Sequence, residues 1–183
     1  MMQEILNNTD NLMLKAVEAL KRDLATVNTG RAMPSLLDTI RVECYGNFMP
    51  LNQVSNISVL DSSTLLIQVW DRSMVSHVEK GIQNANLGFN PAVDGTSIRI
   101  NIPKLSEERR KELCKIVKRY GEDKKIAVRN VRKDSLEKIK KIKKDFSEDF
   151  VKDSEGKVQE LTDKHIKNID LLVASKEKDL LTV

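Results

Sequence analysis

Hydrophobic residues recur at helical spacing at both ends of the chain. Near the N-terminus, apolar side chains are mostly three, four or seven positions apart, which is typical of one face of an amphipathic helix. This stripe comprises Ile5, Leu12, Ala16, Ala19, Leu20, Leu24 and Val27. The pattern predicts one long helix that ends near Thr29 and Gly30.

Two further helices are predicted after Pro103, the last proline. Ser106 is a candidate cap for the first of them, and Glu107 and Glu108 follow where the helix dipole favours acidic side chains. Its apolar stripe comprises Leu113, Val117, Tyr120, Ala127, Val131, Ile139, Ile142 and Phe146. After a break at 147–149, the second helix has a stripe of Val158, Leu161, Ile166, Ile169, Leu172 and Leu180. Three stripes that all need covering predict a three-helix bundle.

The segment between these helices changes to a period of two. Residues 40–44 and 98–102 alternate apolar and polar side chains, as half-buried strands do. Residues 54–59 and 65–70 flank a polar turn and predict a hairpin, whereas 73–86 returns to helical spacing. All four prolines fall in this middle segment. It is predicted to form a small β/α/β domain.

The fold class predicted from these patterns is α+β, with the small domain inserted into a discontinuous three-helix bundle. The bundle is assigned residues 1–30 and 105–183, and the inserted domain residues 31–104. The chain therefore crosses between them twice, which permits a hinge but limits its range. The predicted hinge residues are Thr29, Gly30, Arg31, Pro103, Lys104 and Leu105.

Positive charge is concentrated on one predicted helix. The formal net charge is +4, but residues 107–145 alone contain 16 basic and eight acidic side chains. Four basic residues are spaced to share one outward face of that helix: Lys125, Arg129, Arg132 and Lys133. The planar guanidinium of arginine suits phosphate better than a lysine that serves only solubility does. The face therefore favours an anionic partner, with nucleic acid as the first candidate and a solvated helix face as the alternative.

Signals for catalysis are weak. The sequence has no phosphate-binding loop and no paired His or Cys spacing for a metal, so we expect no enzymatic activity, no cofactor and no metal site. His77 and His165 have no recognisable partner and are interpreted as packing or surface residues. Cys44 and Cys114 are interpreted as reduced thiols.

The remaining patterns concern aromatic residues and location. Trp70 and Phe89 lie in apolar runs, which predicts core packing rather than base stacking. Nucleic-acid recognition would then rely on the phosphate backbone and shape. The sequence has neither a membrane-spanning run nor a signal-peptide pattern, so we expect a cytoplasmic protein.

Short blocks along nearly the whole chain resemble the bacterial ribosome recycling factor family. In order, they are GRAMPSLLD at 30–38, YG at 45–46, PLNQ at 50–53, LGFNP at 87–91, IR at 98–99, EERRKEL at 107–113 and RNVRKD at 129–134. Two positions depart from the usual pattern of the family. Asn28 replaces a basic residue, and Cys44 replaces an aromatic one.

The resemblance implies a function that spacing alone does not indicate. Members of this family are monomers without enzymatic activity, and their bundle and inserted domain form an L. They bind the post-termination ribosome, which still holds messenger RNA and transfer RNA, with the bundle against large-subunit ribosomal RNA. Elongation factor G, using GTP, then acts on the inserted domain, and the ribosomal subunits separate.

The resemblance also implies roles for particular residues. Arg129, Arg132 and Lys133, together with Lys125, are expected to contact ribosomal RNA. Arg110 and Arg31 are expected as secondary contacts near the domain junction. Two alternatives remain, a general nucleic-acid-binding protein and a helical scaffold protein.

Overall fold

Long helices dominate one of the two units into which the chain divides. The structure is a computed structural model that describes residues 1–182. One unit joins Met1–Val27 to the chain from Glu108 onward, and the other comprises Asn28–Glu107. Val183, which was assigned to the bundle above, lies outside the described residues. The helices are α1 (Met2–Ala25), α2 (Val75–Asn84), α3 (Glu107–Ile142) and α4 (Glu148–Leu181).

The three predicted long helices are confirmed, but α1 is shorter than predicted. It ends at Ala25, several residues before Gly30. Thr26 Oγ1 donates to the carbonyl of Asp23 at 2.6 Å, and the N–H of Val27 bonds back only three residues, to Leu24. These shorter-range bonds tighten and end the last turn.

The buried face of α1 is rotated from the predicted stripe. Leu20 and Leu24 are buried as predicted, but Leu12 is 38% exposed and Ala16 only half-buried. The buried positions are Met2, Leu6, Thr9, Met13, Val17, Leu20 and Leu24. The polar Thr9 lies on the buried face of α1, whereas the apolar Leu12 and Ala16 lie beside that face. A stripe drawn through apolar residues alone is therefore misplaced.

Polar side chains in the bundle interior are tied to one another across helices. Thr9 Oγ1 and Ser135 Oγ share a hydrogen bond of 2.6 Å between α1 and α3. His165 is 2% exposed, and its Nε2 lies 2.7 Å from Oδ1 of Asp10, which joins α4 to α1. The sequence had supplied no partner for His165. Buried polar groups need partners, so these bonds favour one alignment of the helices.

The second unit contains two antiparallel sheets. Its strands are β1 (Arg41–Cys44), β2 (Asn47–Pro50), β3 (Ser55–Asp61), β4 (Thr64–Val69), β5 (Pro91–Asp94) and β6 (Ser97–Asn101). β1 pairs with β2, and the larger sheet has the order β3-β4-β6-β5. The strands and the hairpin predicted above are confirmed. β2 and β5 were not predicted because each is four residues long and contains a proline.

The core of this unit lies between α2 and the larger sheet. Val78 and Ile82 of α2 are buried with the inward residues of β4 and β6, and Phe89 is buried as predicted. The prediction for Trp70 is wrong, since its side chain is 60% exposed. Trp70 lies just beyond the end of β4, whose last residue, Val69, is buried. The apolar run in sequence therefore continues past the strand that enters the core.

Helices α3 and α4 pack closely at Gly121. A Cβ built on Gly121 would lie 2.5 Å from Cγ2 of Val173, nearer than real Cβ atoms approach other carbons. Val173 is β-branched and stiff, so it cannot move aside without cost. Gly156 in α4 is the natural comparison, because a Cβ there meets no atom within 4 Å.

We predict opposite effects of alanine at these two glycines. Gly121→Ala should lower the free energy of unfolding by about 1–3 kcal/mol, because overpacking outweighs the gain in helix propensity. Gly156→Ala should raise it by about 0.5–1 kcal/mol. Urea denaturation followed by circular dichroism measures both. A stabilised Gly121→Ala variant would contradict the close packing of α3 on α4.

Candidate nucleic-acid interface

Three of the predicted contact residues form a cluster on α3. Arg129 and Lys133 are exposed one helical turn apart, and Arg132 lies beside them at the edge of α3 that faces α4. Four residues span about 6 Å along a helix, so the three cations fit a short stretch of phosphate backbone. We call Arg129, Arg132 and Lys133 the basic cluster.

The edge of α3 that faces α4 has a cation every seven residues. Lys118 Nζ lies 3.7 Å from Oε1 of Glu177. One step later, Lys125 Nζ lies 2.5 Å from Oδ1 of Asp170. The third cation is Arg132. A seven-residue spacing returns to the same side of a helix, so these side chains form a ladder between α3 and α4.

Lys125 does not face outward as predicted. Its side chain is 17% exposed, and its ammonium also lies 3.2 Å from Oε1 of Glu122. The hydrogen bond to Asp170 is the main cause that raises the pKa of Lys125. Two carboxylates therefore compensate this charge. The sequence could not reveal Asp170, because it is distant along the chain and becomes a neighbour only when α4 packs on α3.

Arg132 also differs from the prediction that it points away from the buried stripe. Its side chain lies against α4, where Nε donates a 2.7 Å hydrogen bond to Oε1 of Gln159. Gln159 Nε2 in turn donates to Oδ1 of Asp163 at 2.8 Å. Within residues 1–182, no carboxylate forms an ion pair with Arg132. Its charge thus remains available on the surface, held by a neutral amide.

The two secondary contact residues lie apart from the basic cluster. Arg110 is half-buried near the start of α3, 22 residues before Arg132. That separation corresponds to about 33 Å along the helix axis. Arg31 is half-buried and belongs to the other unit, Asn28–Glu107.

The predicted hinge residues all belong to the Asn28–Glu107 unit. Gly30 has φ +73°, and a Cβ there would lie 3.2 Å from Cγ of Leu105, so the two crossings of the chain touch at this point. Asn28 Oδ1 accepts a 2.8 Å hydrogen bond from the N–H of Gly30. Asn28 therefore supports the turn that contains the glycine.

Both crossings are also anchored to the turn between β3 and β4. The N–H of Ala32 donates to the carbonyl of Ser62 at 2.9 Å, and that of Ile102 donates to the carbonyl of Ser63 at 2.7 Å. Thr29 is buried, whereas Pro103 and Lys104 are exposed. The second crossing is therefore anchored at Ile102 and accessible at Pro103 and Lys104.

The thiols and His77 lie outside the basic cluster. Cys44 packs against the core of its unit, with Sγ 3.8 Å from Sδ of Met74. Burial is the main cause that raises the pKa of Cys114. His77 is exposed on α2. Within residues 1–182, no helix is long and apolar enough to cross a membrane, and no group of three or more metal-ligating side chains is found.

Known sequences match this chain over its full length. The family model described as Ribosome recycling factor matches residues 20–181. The chain is 47% identical to the ribosome-recycling factor of Clostridium tetani, with all of both chains covered. It is 48% identical to that of Ralstonia pickettii, with 98% of both chains covered.

Solved structures agree with the sequence matches. The solution structure of a ribosome recycling factor has a TM-score of 0.84 and 38% identity, over 100% of this chain and 98% of that one. A second match has a TM-score of 0.69 and 40% identity and covers all of both chains. It comes from models for the T. thermophilus ribosome recycling factor and the E. coli elongation factor G bound to the E. coli post-termination complex. By sequence along its whole length and by fold, this chain belongs to the ribosome recycling factor family.

Proposed function

We propose that this protein binds the post-termination ribosome and, with elongation factor G and GTP, separates the subunits and releases messenger RNA and transfer RNA. The chain is a translation factor by its family. A structural relative is described together with elongation factor G on a post-termination complex, which supports the same partners here. The protein would act as a monomer, in the cytoplasm where ribosomes translate.

The observation that carries the proposal is the basic cluster. Arg129, Arg132 and Lys133 present three cations within about one helical turn, and the described residues provide no ion pair for Arg132. Such a group suits the phosphates of large-subunit ribosomal RNA. Arg110 and Arg31 are secondary contacts in this proposal. Lys125 contributes least, because its charge is already compensated.

Recognition would depend on the phosphate backbone rather than on base stacking. The most exposed aromatic side chains, Tyr45, Phe48 and Trp70, all belong to the Asn28–Glu107 unit, not to α3. Stacking platforms for single strands need aromatic residues interleaved with basic ones. The basic cluster therefore fits a folded RNA surface that is recognised by its shape.

The protein would supply no chemical step of its own in this proposal. The free energy for subunit separation would come from GTP turnover on elongation factor G. The bundle, residues 1–30 and 105–183, would hold the ribosomal RNA, while residues 31–104 would receive the elongation factor. The crossings at Thr29 to Arg31 and Pro103 to Leu105 would act as the hinge.

Removing the charge of Arg132 tests the proposed contact. Loss of a charge-assisted hydrogen bond costs about 1.5–3 kcal/mol, so Arg132→Ala should weaken ribosome binding about tenfold or more. Co-sedimentation with purified ribosomes measures the affinity. The helical circular dichroism signal should not change, because Arg132 makes only a surface contact with Gln159.

Arg119→Ala is the matched control for this variant. Arg119 is an exposed arginine of α3 that lies roughly 140° around the helix from Arg132. The Arg119→Ala substitution removes one positive charge from the same helix as Arg132→Ala does. Ribosome affinity should therefore change by less than about twofold if contact geometry decides binding. Equal losses in the two variants would indicate attraction by net charge alone, as in a general nucleic-acid-binding protein.

Salt dependence gives a second measure of the contacts. Binding to phosphates releases counterions, and log affinity falls by about 0.7–0.9 per contact for each unit of log salt. Five contacts, by Arg31, Arg110 and the basic cluster, predict a slope of about −4. Affinities measured by co-sedimentation at several potassium chloride concentrations provide this slope. A flat response would point to ribosomal protein as the partner, which favours the scaffold alternative.

The hinge is tested by two glycines with similar backbone angles. Gly30→Ala adds a methyl group against Leu105 at φ +73°, whereas Gly88→Ala adds one at φ +75° where no atom lies within 4 Å. Both variants incur strain of about 1–2 kcal/mol from positive φ, but only Gly30→Ala disturbs the contact between the crossings. We expect Gly30→Ala to separate subunits several-fold more slowly while ribosome affinity is retained.

Light scattering of ribosomes with elongation factor G and GTP measures the rate of separation. Gly88→Ala should separate subunits at the wild-type rate. Wild-type rates for both variants would mean that the contact between Gly30 and Leu105 has no part in the movement. Equal slowing of both would mean that backbone strain, not the crossing, causes the effect.

A further inference from the structure

The ladder between α3 and α4 changes character at its third step. From Lys118 to Lys125 the cation advances seven residues along α3, and its acidic partner moves back seven residues along α4. The same step from Lys125 reaches Arg132 on α3 and Asp163 on α4. A carboxylate is thus available in register at all three steps, yet the third cation is not paired with it.

Gln159 lies between these two groups in the hydrogen-bond network. It accepts from Arg132 Nε at 2.7 Å and donates to Asp163 Oδ1 at 2.8 Å. Gln159 and Asp163 are four residues apart on α4, a spacing that favours such a bond. The amide therefore engages the carboxylate that lies in the position equivalent to Asp170 and Glu177, and Arg132 is hydrogen-bonded to the amide instead.

The same contact orients the guanidinium. Arginine presents its N–H donors in a rigid planar fork, and Nε is used by Gln159. The edge formed by the two Nη atoms remains for an oxyanion. A neutral acceptor at Nε fixes the plane of the group while its full positive charge is kept.

We propose that Gln159 is a positioning residue for the RNA contact: it holds Arg132 through Nε and shields it from Asp163. The ligand of the exposed edge is a phosphodiester of ribosomal RNA. This inference rests on the proposed RNA contact of Arg132. It adds that Gln159 orients the guanidinium of Arg132 and keeps its positive charge available for the phosphate. Gln159 itself does not touch RNA.

Two substitutions separate these roles. Gln159→Leu removes the amide with a similar side-chain volume, and Gln159→Glu places a carboxylate at Arg132. We expect Gln159→Leu to weaken ribosome binding about threefold to tenfold, the range for an arginine that must be ordered on binding. Gln159→Glu should weaken binding further, because the new ion pair competes with phosphate.

The salt slope distinguishes orientation from charge. Gln159→Glu should reduce the magnitude of the slope by about 0.7–0.9, as Arg132→Ala does, since either change removes one phosphate contact. Gln159→Leu should reduce the slope as well, because it releases Asp163 to pair with Arg132. Gln159→Leu combined with Asp163→Asn should leave the slope unchanged, because Arg132 then remains a free cation. A structural role for Gln159 would instead appear as a lower free energy of unfolding, which urea denaturation measures.

Double variants make the proposal falsifiable. In an Arg132→Ala background, neither substitution at Gln159 should alter ribosome affinity further. Losses of the same size with and without Arg132 would overturn the positioning role. If Arg132→Ala itself leaves affinity unchanged, the proposed RNA contact fails, which is a different result.

Glu177→Gln is the matched control. It removes the carboxylate that faces Lys118, another step of the same α3–α4 ladder, and it leaves Arg132 and Gln159 intact. Ribosome affinity should stay within about twofold of wild type, because neither Glu177 nor Lys118 is among the proposed RNA contacts. A loss equal to that of Gln159→Leu would show that any disturbed α3–α4 contact weakens binding.

Discussion

The close approach of α3 to α4 at Gly121 is the constraint on which the basic cluster depends. Gly121 lets the two helices approach at Val173, and the ion pairs Lys118–Glu177 and Lys125–Asp170 lie on either side of that approach along α3. The same alignment brings α4 to the edge of Arg132. A shift of one residue would rotate each α4 side chain by 100° and remove every partner in the ladder. Backbone packing thus decides which cations are neutralised and which stay available.

Polar contacts in the bundle interior support the same alignment. The hydrogen bond between Thr9 and Ser135 links α1 to α3, and that between His165 and Asp10 links α4 to α1. An apolar interior tolerates small shifts of one helix against another, whereas buried polar groups lose their partners when helices shift. These polar groups make the bundle interior less hydrophobic, but they specify how the helices are aligned. In the proposed function, a surface that matches a folded RNA would benefit from this fixed alignment.

At the two ends of the Asn28–Glu107 unit, the chain is held by backbone hydrogen bonds rather than by side-chain contacts between helices. Both chain crossings are held by neighbouring carbonyls, of Ser62 and Ser63, and Gly30 contacts Leu105 between them. The crossings are thus coupled to each other through the unit itself. In the proposed function, a force on residues 31–104 would reach both crossings together rather than stretch one of them. Asn28 contributes by supporting the turn at Gly30.

The amino-acid sequence alone revealed helices α1 to α4, the strands of the described residues except β2 and β5, the insertion of one unit into the other, the concentration of charge on α3 and the family. These properties follow from local periodicity, from turn residues and from blocks such as 129–134, all of which are read along the chain. The orientation of side chains was decided only in the tertiary structure. Leu12 and Trp70 are exposed because their neighbours, Met13 and Val69, take the buried positions. The partners of Lys125 and Arg132 on α4 are distant in sequence, and periodicity contains no information about which edge of one helix meets another. That contact decides that Lys125 is neutralised while Arg132 keeps its charge.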